Sequence, residues 1–167
     1  MTLERTLARV EEDLRKGDSA MARTRLRSFV QSVPQSLEAR ERLAALCRLD
    51  GDQVEAGRWS YLSDQPDPQE VDAFERACGR DPVRIMRGLR WSGSEEDAST
   101  ETARERLREV RTRAESAARK KLDWSDRGHD VGGPWWEDAF AVGCLLVGLG
   151  LLALVAIGAV TVFGWIF

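Results

Sequence analysis

Histidine and cysteine are scarce in this sequence, and their scarcity excludes several kinds of site. The 167 residues include one histidine, His129, and three cysteines, Cys47, Cys78 and Cys144. A histidine-rich zinc site needs more than one histidine, and a Ser-His-Asp triad needs one inside the folded part rather than in a glycine-rich stretch. The cysteines lie in separate segments and suggest no disulfide framework, so a reducing cytoplasm suits the polar part of the chain.

Phosphate-binding glycine motifs are absent as well. Neither GxxxxGKS/T nor GxGxxG occurs, and a net charge of −3 provides no basic field for nucleic acid. Only three of the 25 basic residues are lysine, a bias that indicates a GC-rich and bacterial genome. We predict a protein that is not an enzyme and that has no cofactor, metal, nucleic-acid partner or small-molecule substrate. An enzyme with an unrecognised carboxylate site is the alternative.

Charge is missing from the last 28 residues, 140–167. A helix of this length covers roughly 42 Å, whereas the hydrocarbon core of a bilayer is about 30 Å thick. One tilted span fits, and a buried core helix is the alternative. Indole rings favour the membrane interface, and tryptophans flank the stretch on both sides: Trp135, Trp136 and Trp165. We predict a C-terminal membrane anchor over residues 135–167.

The charges that flank this stretch predict its orientation. The N-terminus has no apolar segment typical of a cleavable signal. Basic residues precede the stretch and none follows it: Arg119, Lys120, Lys121 and Arg127. The positive-inside rule then predicts a single-pass protein of the cell membrane, with a cytoplasmic N-terminal domain and the C-terminus at the far face.

Residues 1–91 carry the pattern of an all-α domain. Apolar residues recur three and four positions apart, and the punctuation repeats after 34 residues. Gly17-Asp18 matches Gly51-Asp52, and Pro34 matches Pro68. Each glycine is typical of a helix stop, and side chains that suit helix caps follow the stops: Asp18, Ser36, Asp52 and Asp81.

With this 34-residue helix–turn–helix period, residues 2–69 resemble the tetratricopeptide repeat family. The chain departs from the family pattern at Thr6 and Arg40, where an aromatic is expected. A generic bundle of helix pairs is the alternative. The resemblance implies two to three antiparallel pairs and a peptide groove lined by the first helix of each pair. Its implied groove residues include Glu11, Arg15, Glu38, Glu41 and Arg48, a lining suited to a basic or amphipathic segment.

A second resemblance rests on residues 56–62, Ala-Gly-Arg-Trp-Ser-Tyr-Leu. They are similar to the Ala-Gly-Arg-Tyr-Trp-Tyr-Leu motif of a family of small, mostly Gram-positive bacterial proteins with no assigned activity. Within this segment Arg58 and Tyr61 are candidates for partner binding, because arginine and tyrosine are frequent in interface hot spots. Packing in the core is the alternative for both, and it is the interpretation that we favour for Trp59.

The rest of the polar part divides by composition. Residues 69–91 complete the helical domain, and the polar residues 92–100 read as a linker. Residues 101–122 predict a charged tether helix with Thr102 as a capping residue. Its seam of Ala103, Leu107, Val110, Ala114 and Ala117 has coiled-coil spacing. A solvated spacer, a helix folded back on the domain and a coiled coil are the alternatives. Residues 123–134 read as a flexible hinge.

Together these patterns predict a membrane-anchored adaptor. Its cytoplasmic helical repeats would bind, scaffold or regulate a protein partner that is itself membrane-associated, and its anchor would contact the lipid bilayer. The alternative is a structural accessory subunit, held in a membrane complex mainly through its transmembrane helix.

Overall fold

The computed structural model describes residues 2–125, and in this part of the chain all regular structure is helical. The order is α1 (Leu3–Arg15), α2 (Ser19–Ser32), α3 (Leu37–Leu49), α4 (Gln53–Ser60), α5 (Pro68–Ala77), α6 (Pro82–Gly88), a 3-10 helix (Glu95–Asp97) and α7 (Glu101–Ala118). The predicted all-α class is confirmed for these residues. They form one compact unit.

The α1–α2 and α3–α4 turns have the same geometry, 34 residues apart. Gly17 and Gly51 have φ angles of +79° and +75°, in the left-handed region that favours glycine. The following residues, Asp18 and Asp52, each donate a backbone N–H to a carbonyl five residues earlier at 2.9 Å. Both aspartates then cap the next helix by accepting from its backbone N–H groups. The glycine stops and aspartate caps that the sequence predicts are confirmed.

The third helix pair is shorter, with 10 residues in α5 and 7 in α6. Each of these helices begins with a proline at its first position, where the missing N–H costs nothing, and an aspartate accepts from the N–H groups that follow. These caps are Asp67 and Asp81. The predicted start of α6 at Asp81-Pro82 is therefore confirmed.

Helices α4 and α5 touch backbone to backbone at Gly57. A β-carbon placed there would lie 1.9 Å from the carbonyl oxygen of Glu70, far inside van der Waals contact. Glycine is required at this position because it lacks a β-carbon, and the two helices approach more closely than any side chain would permit.

Two clusters of buried apolar residues form the core. The first joins α1 to α4 and includes Val10, Leu26, Phe29, Val30, Leu43, Leu46 and Trp59. The second joins the end of α4 to α7 and includes Leu62, Phe74, Ile85, Met86, Leu89, Trp91 and Leu107. Trp59 is 1 % exposed, so the prediction that it packs in the core is confirmed.

The charged helix α7 is folded back on the domain, which was one of the alternatives left open for it. Four of its five seam residues are buried in the second cluster: Ala103, Leu107, Val110 and Ala114. Ala117 is exposed. The seam is covered by the chain's own α6 region and is not available for a coiled coil. The helix begins at Glu101 with Thr100 as its cap, so the expected cap at Thr102 was wrong by two residues.

Residues 92–100, expected to be a linker, are built into this same core. Ala98 is buried, and Glu95 accepts from the indole N–H of Trp124 at 2.7 Å and pairs with Arg111 at 2.8 Å. The domain therefore extends past residue 91 to Trp124. The predicted hinge begins with two residues, Asp123 and Trp124, that belong to this domain.

No helix within residues 2–125 has the length and apolarity that a membrane span requires. The predicted anchor at residues 135–167, with its interface residues Trp135, Trp136 and Trp165, lies outside the described residues.

Candidate functional site

Tyr61, one of the two favoured partner-binding residues, is placed inside the domain. It is 8 % exposed, and its ring meets that of Phe74 edge to face at 5.9 Å. Its hydroxyl donates to Glu75 at 2.9 Å. Burial, followed by this hydrogen bond, raises the pKa of Tyr61. Its role in partner binding stays a prediction, but little of the side chain is left for a partner.

Arg58, the other favoured residue, is half-buried beside it. Its guanidinium pairs with Glu55 at 2.8 Å and lies 5.7 Å from the ring centroid of Phe74. Among the described residues, its Nε is a buried donor with no acceptor. The α4–α5 contact thus uses Arg58 and Tyr61 internally, and the structure does not bring them into the face described below.

Arg48 is engaged within the domain as well. Its guanidinium donates two hydrogen bonds to the two carboxylate oxygens of Glu70, at 2.6 and 2.8 Å. Glu70 is buried and also accepts from Ser60. The hydrogen bond to Glu70 is the main cause that raises the pKa of Arg48. The pair fastens α3 to α5, so Arg48 acts first as a structural link.

The remaining predicted groove residues are exposed on α1 and α3. Glu11 lies on α1 with Arg15, which pairs with Glu12 one turn away. Glu38 and Glu41 lie on α3, and neither makes an ion pair with another described residue. These four side chains are available to solvent, as a binding role requires.

One exposed stripe of α3 combines charge with an unburied leucine. Its members follow one another at helical spacing, and we call them the α3 face: Glu38, Glu41, Arg42, Ala45 and Leu49. Leu49 is 82 % exposed, whereas the other exposed large apolar side chains of the described residues lie between 38 and 42 %. Within residues 2–125, the face thus offers two carboxylates and one guanidinium that make no ion pair, and a leucine with almost no cover.

An open groove begins two residues after Leu49. It is lined by Gly51, Asp52, Gln53 and Val54 from the start of α4, and by Ala73, Arg76 and Ala77 from α5. Small apolar side chains form part of its wall, with a carboxylate and a guanidinium beside them. The groove extends the surface that a partner seated at Leu49 would meet.

Cysteine and metal chemistry have little support in the described part. Burial raises the pKa of the Cys47 thiol to about 11 and also raises that of Cys78, so both thiols are poorly reactive near neutral pH. Residues 2–125 contain no group of three or more side chains that would hold a metal ion. His129 lies outside this range.

The whole-sequence comparison supplies a family. Residues 1–164 match DUF6584, a family of unknown function. The chain belongs to that family. Searches of curated proteins and of solved structures found no match. Membership in this family indicates no particular activity. The tetratricopeptide relationship and the motif at residues 56–62 stay predictions.

In this DUF6584 protein the residue that sequence reasoning missed is Arg40, which is 1 % exposed. All of its hydrogen bonds go to backbone carbonyls: Pro34 at 2.7 Å, Leu89 at 3.0 Å and Arg90 at 3.2 Å. Its guanidinium carbon lies 5.5 Å from one ring centroid of Trp59 and 5.6 Å from that of Trp91. Burial lowers its pKa to about 10, so it remains charged at neutral pH.

A signal for this arrangement existed in the sequence. Arg40 stands where the tetratricopeptide pattern has an aromatic, and a large planar cation can replace a ring if other rings surround it. What the sequence did not contain was the identity of those rings, since Trp91 is 51 residues away from Arg40 along the chain.

Proposed function

We propose that this DUF6584 protein is an adaptor: a small helical domain held at the cytoplasmic face of the cell membrane by a single C-terminal span over residues 135–167. There it binds another membrane-associated protein. The observation that carries the binding role is Leu49, which is 82 % exposed at the end of a face otherwise made of charged and small residues.

The anchor is supported by the sequence. Twenty-eight consecutive residues carry no charge, and the tryptophans that flank them favour the interface. The basic residues before the stretch favour a cytoplasmic domain. A tether of this kind raises the local concentration of the domain near other membrane proteins, so a modest surface is enough for binding.

The α3 face is the surface that a tetratricopeptide-like domain would use. Such domains bind peptides along the first helix of each pair, and α3 is the first helix of the second pair. The repeated turn geometry at Gly17 and Gly51, 34 residues apart, supports that relationship. We propose as well that the first helices of the pairs form a concave groove.

The chemistry of the face favours a basic amphipathic segment as its occupant. Leu49 and Ala45 provide apolar contact, while Glu38 and Glu41 provide carboxylates with no ion pair among the described residues. A helix that carries an apolar residue beside two cations would satisfy both. Burying an exposed leucine contributes about 1.5–3 kcal/mol, roughly a tenfold to hundredfold gain in affinity.

A quantitative pull-down from gently solubilised native membranes tests this proposal. The baits are the full chain, Leu49→Asp, and Met21→Asp as the matched control. Met21 is an exposed apolar side chain on α2, outside the α3 face. We expect one protein, recovered in near-equal amount with the full chain and with Met21→Asp, to fall at least tenfold with Leu49→Asp. Equal recovery with both variants would show that the α3 face does not bind this protein.

A structural subunit is the second candidate, and the long uncharged stretch itself favours it. A subunit held through its span would lose its partner when residues 135–167 are removed and would tolerate Leu49→Asp. An adaptor that is mixed with its partner at high concentration in detergent would still bind without residues 135–167. It would lose the partner with Leu49→Asp.

A further inference from the structure

Six exposed cations lie on α6, just after α6 and just after α7. None of them makes an ion pair with another described residue: Arg84, Arg87, Arg90, Arg119, Lys120 and Lys121. In contrast, most cations of α2, α5 and α7 pair with carboxylates. We call the six residues the basic patch.

The two halves of the patch meet in space. On α6, Arg84 and Arg87 lie three residues apart on one exposed side, and Arg90 follows two residues after the helix ends. Arg87 borders a narrow crevice together with Val83 and Met86, and the other wall is Leu122 and Asp123. The residues that follow α7 therefore lie against α6, beside Arg87.

Few carboxylates neutralise this region. Asp123 accepts hydrogen bonds from the backbone N–H and hydroxyl of Ser125, and Asp81 caps the start of α6. Glu115 lies here as well, because its Oε1 accepts the backbone N–H of Leu122 at 3.0 Å. Within residues 2–125, six cations against these three carboxylates, each already hydrogen-bonded, leave a positive excess.

The chain leaves the described domain at this patch. Trp124 is 7 % exposed and its indole N–H donates to Glu95 at 2.7 Å, which fixes the end of the domain to its core. Between Trp124 and Trp135, where the predicted anchor starts, there are ten residues, which reach at most about 36 Å. The patch is thus confined to a short distance from the proposed bilayer.

We propose that the basic patch docks on anionic lipid headgroups of the membrane that holds the C-terminal span. This inference rests on the proposed anchor. A basic residue that reaches an anionic membrane surface gains about fivefold in binding, so three of them gain roughly a hundredfold. Docking of this face fixes which sides of the domain are turned toward the cytoplasm and are free to meet a partner.

Energy transfer from the full chain to bilayer nanodiscs tests the docking. A donor dye is placed on Ala117→Cys, next to the patch, or on Ala8→Cys, on α1, which packs in the first core cluster, in a Cys144→Ala background. Both alanines are exposed. Cys47 is buried and does not compete for the dye, and the half-buried Cys78 is replaced by alanine as well. Acceptor dyes lie in the headgroups of discs that are either neutral or one-third anionic.

Two triple variants provide the comparison. One removes cations of the patch (Arg87→Gln, Lys120→Gln, Lys121→Gln). The other removes three exposed cations that lie elsewhere and make no ion pair among the described residues (Arg5→Gln, Arg9→Gln, Arg42→Gln). The net charge of the two is equal, and circular dichroism verifies that both keep their helices.

We expect anionic discs to raise transfer from position 117 and not from position 8. High salt should abolish the rise, since the Debye length falls to about 3 Å at 1 M. The patch variant should lower the ratio of docked to undocked chains roughly a hundredfold, and the other variant should leave it unchanged. Equal transfer in neutral and anionic discs, or equal loss in both variants, would overturn the docking.

The same discs separate failure of the anchor from failure of the patch. A chain that stays in both kinds of disc after a salt wash is anchored, and only the transfer then decides on docking. A chain held by anionic discs alone and released by salt supports the patch and contradicts the anchor. A chain that binds neither disc overturns both.

Discussion

Arg40 donates from both Nη atoms to the carbonyl oxygen of Leu89, each at 3.0 Å, across 49 positions of the chain. Leu89 caps the end of α6, where free carbonyls and the helix dipole favour a cation. The same guanidinium contacts Trp59 of the first core cluster and Trp91 of the second. This buried charge therefore links the two core clusters, in addition to the Arg48–Glu70 pair and the close α4–α5 contact at Gly57.

Replacing this side chain should destabilise the whole domain. Arg40→Ala leaves three carbonyl oxygens without a donor and opens a cavity between two indole rings, so we expect a loss of roughly 3–5 kcal/mol in the free energy of unfolding. Urea unfolding of the full chain in detergent, followed by circular dichroism, measures it. Arg42→Ala, an exposed arginine on the same helix, should stay within about 0.5 kcal/mol. A small loss for Arg40→Ala would mean that the two clusters hold together without it.

Gly57 should tolerate no side chain. Gly57→Ala pushes a methyl group against the backbone carbonyl of Glu70, which cannot rotate away, so α4 and α5 must separate. We expect a loss of roughly 3 kcal/mol or more in unfolding free energy. Gly51→Ala is the comparison: it has open space but a φ of +75°, and it should cost about 1–2 kcal/mol. If the two variants were equally stable, the backbone contact at Gly57 would be refuted.

One leucine pair tests whether α7 belongs to the domain. Leu107 is 0 % exposed and Leu49 is 82 % exposed. The same substitution by alanine should therefore affect stability strongly at Leu107 and hardly at all at Leu49. Leu107→Ala should lower the free energy of unfolding by about 2–5 kcal/mol, and Leu49→Ala should change it by less than about 0.5 kcal/mol. A solvated spacer helix would make both variants neutral.

Cys47 should react slowly with thiol reagents. Its pKa is raised to about 11 from an ordinary value of 9, so near pH 8 the thiolate population is about a hundredfold lower than that of an exposed cysteine. Ala45→Cys, exposed on the same helix, is the reference site. The thiolate fraction of the reference cysteine levels off above about pH 9, whereas that of Cys47 keeps rising toward pH 11. The ratio of the two reaction rates that is due to ionisation should therefore narrow to about tenfold at pH 10. Equal rates at pH 8 would show that Cys47 is not buried.

The sequence predicts much of this fold because local signals specify it. Glycine stops, aspartate caps and apolar spacing place the turns at Gly17 and Gly51, and the helices follow. These signals act within a few residues of each other. Local signals did not predict where α7 packs, since its seam spacing suits a partner helix and a neighbouring helix equally.

The candidate site was harder to predict because, as with α7, local signals do not show which side chains the packed helices cover. Arg58 and Tyr61 have the composition of an interface, but composition does not reveal that Arg58 pairs with Glu55 and that Tyr61 donates to Glu75 inside the domain. Arg48 likewise pairs with Glu70, which lies 22 positions away in the sequence. Leu49 gave no signal of its own, because its exposure depends on which side of α3 the other helices cover.

Site-specific photo-cross-linking in living cells tests the central claim, that the α3 face binds a partner. A photoreactive amino acid replaces Leu49 or Ala45 in the face, and Met21 or Ala117 outside it, one at a time. We expect one predominant cross-linked protein from positions 49 and 45, absent from positions 21 and 117. No cross-link from the face, or the same products from all four positions, would contradict it.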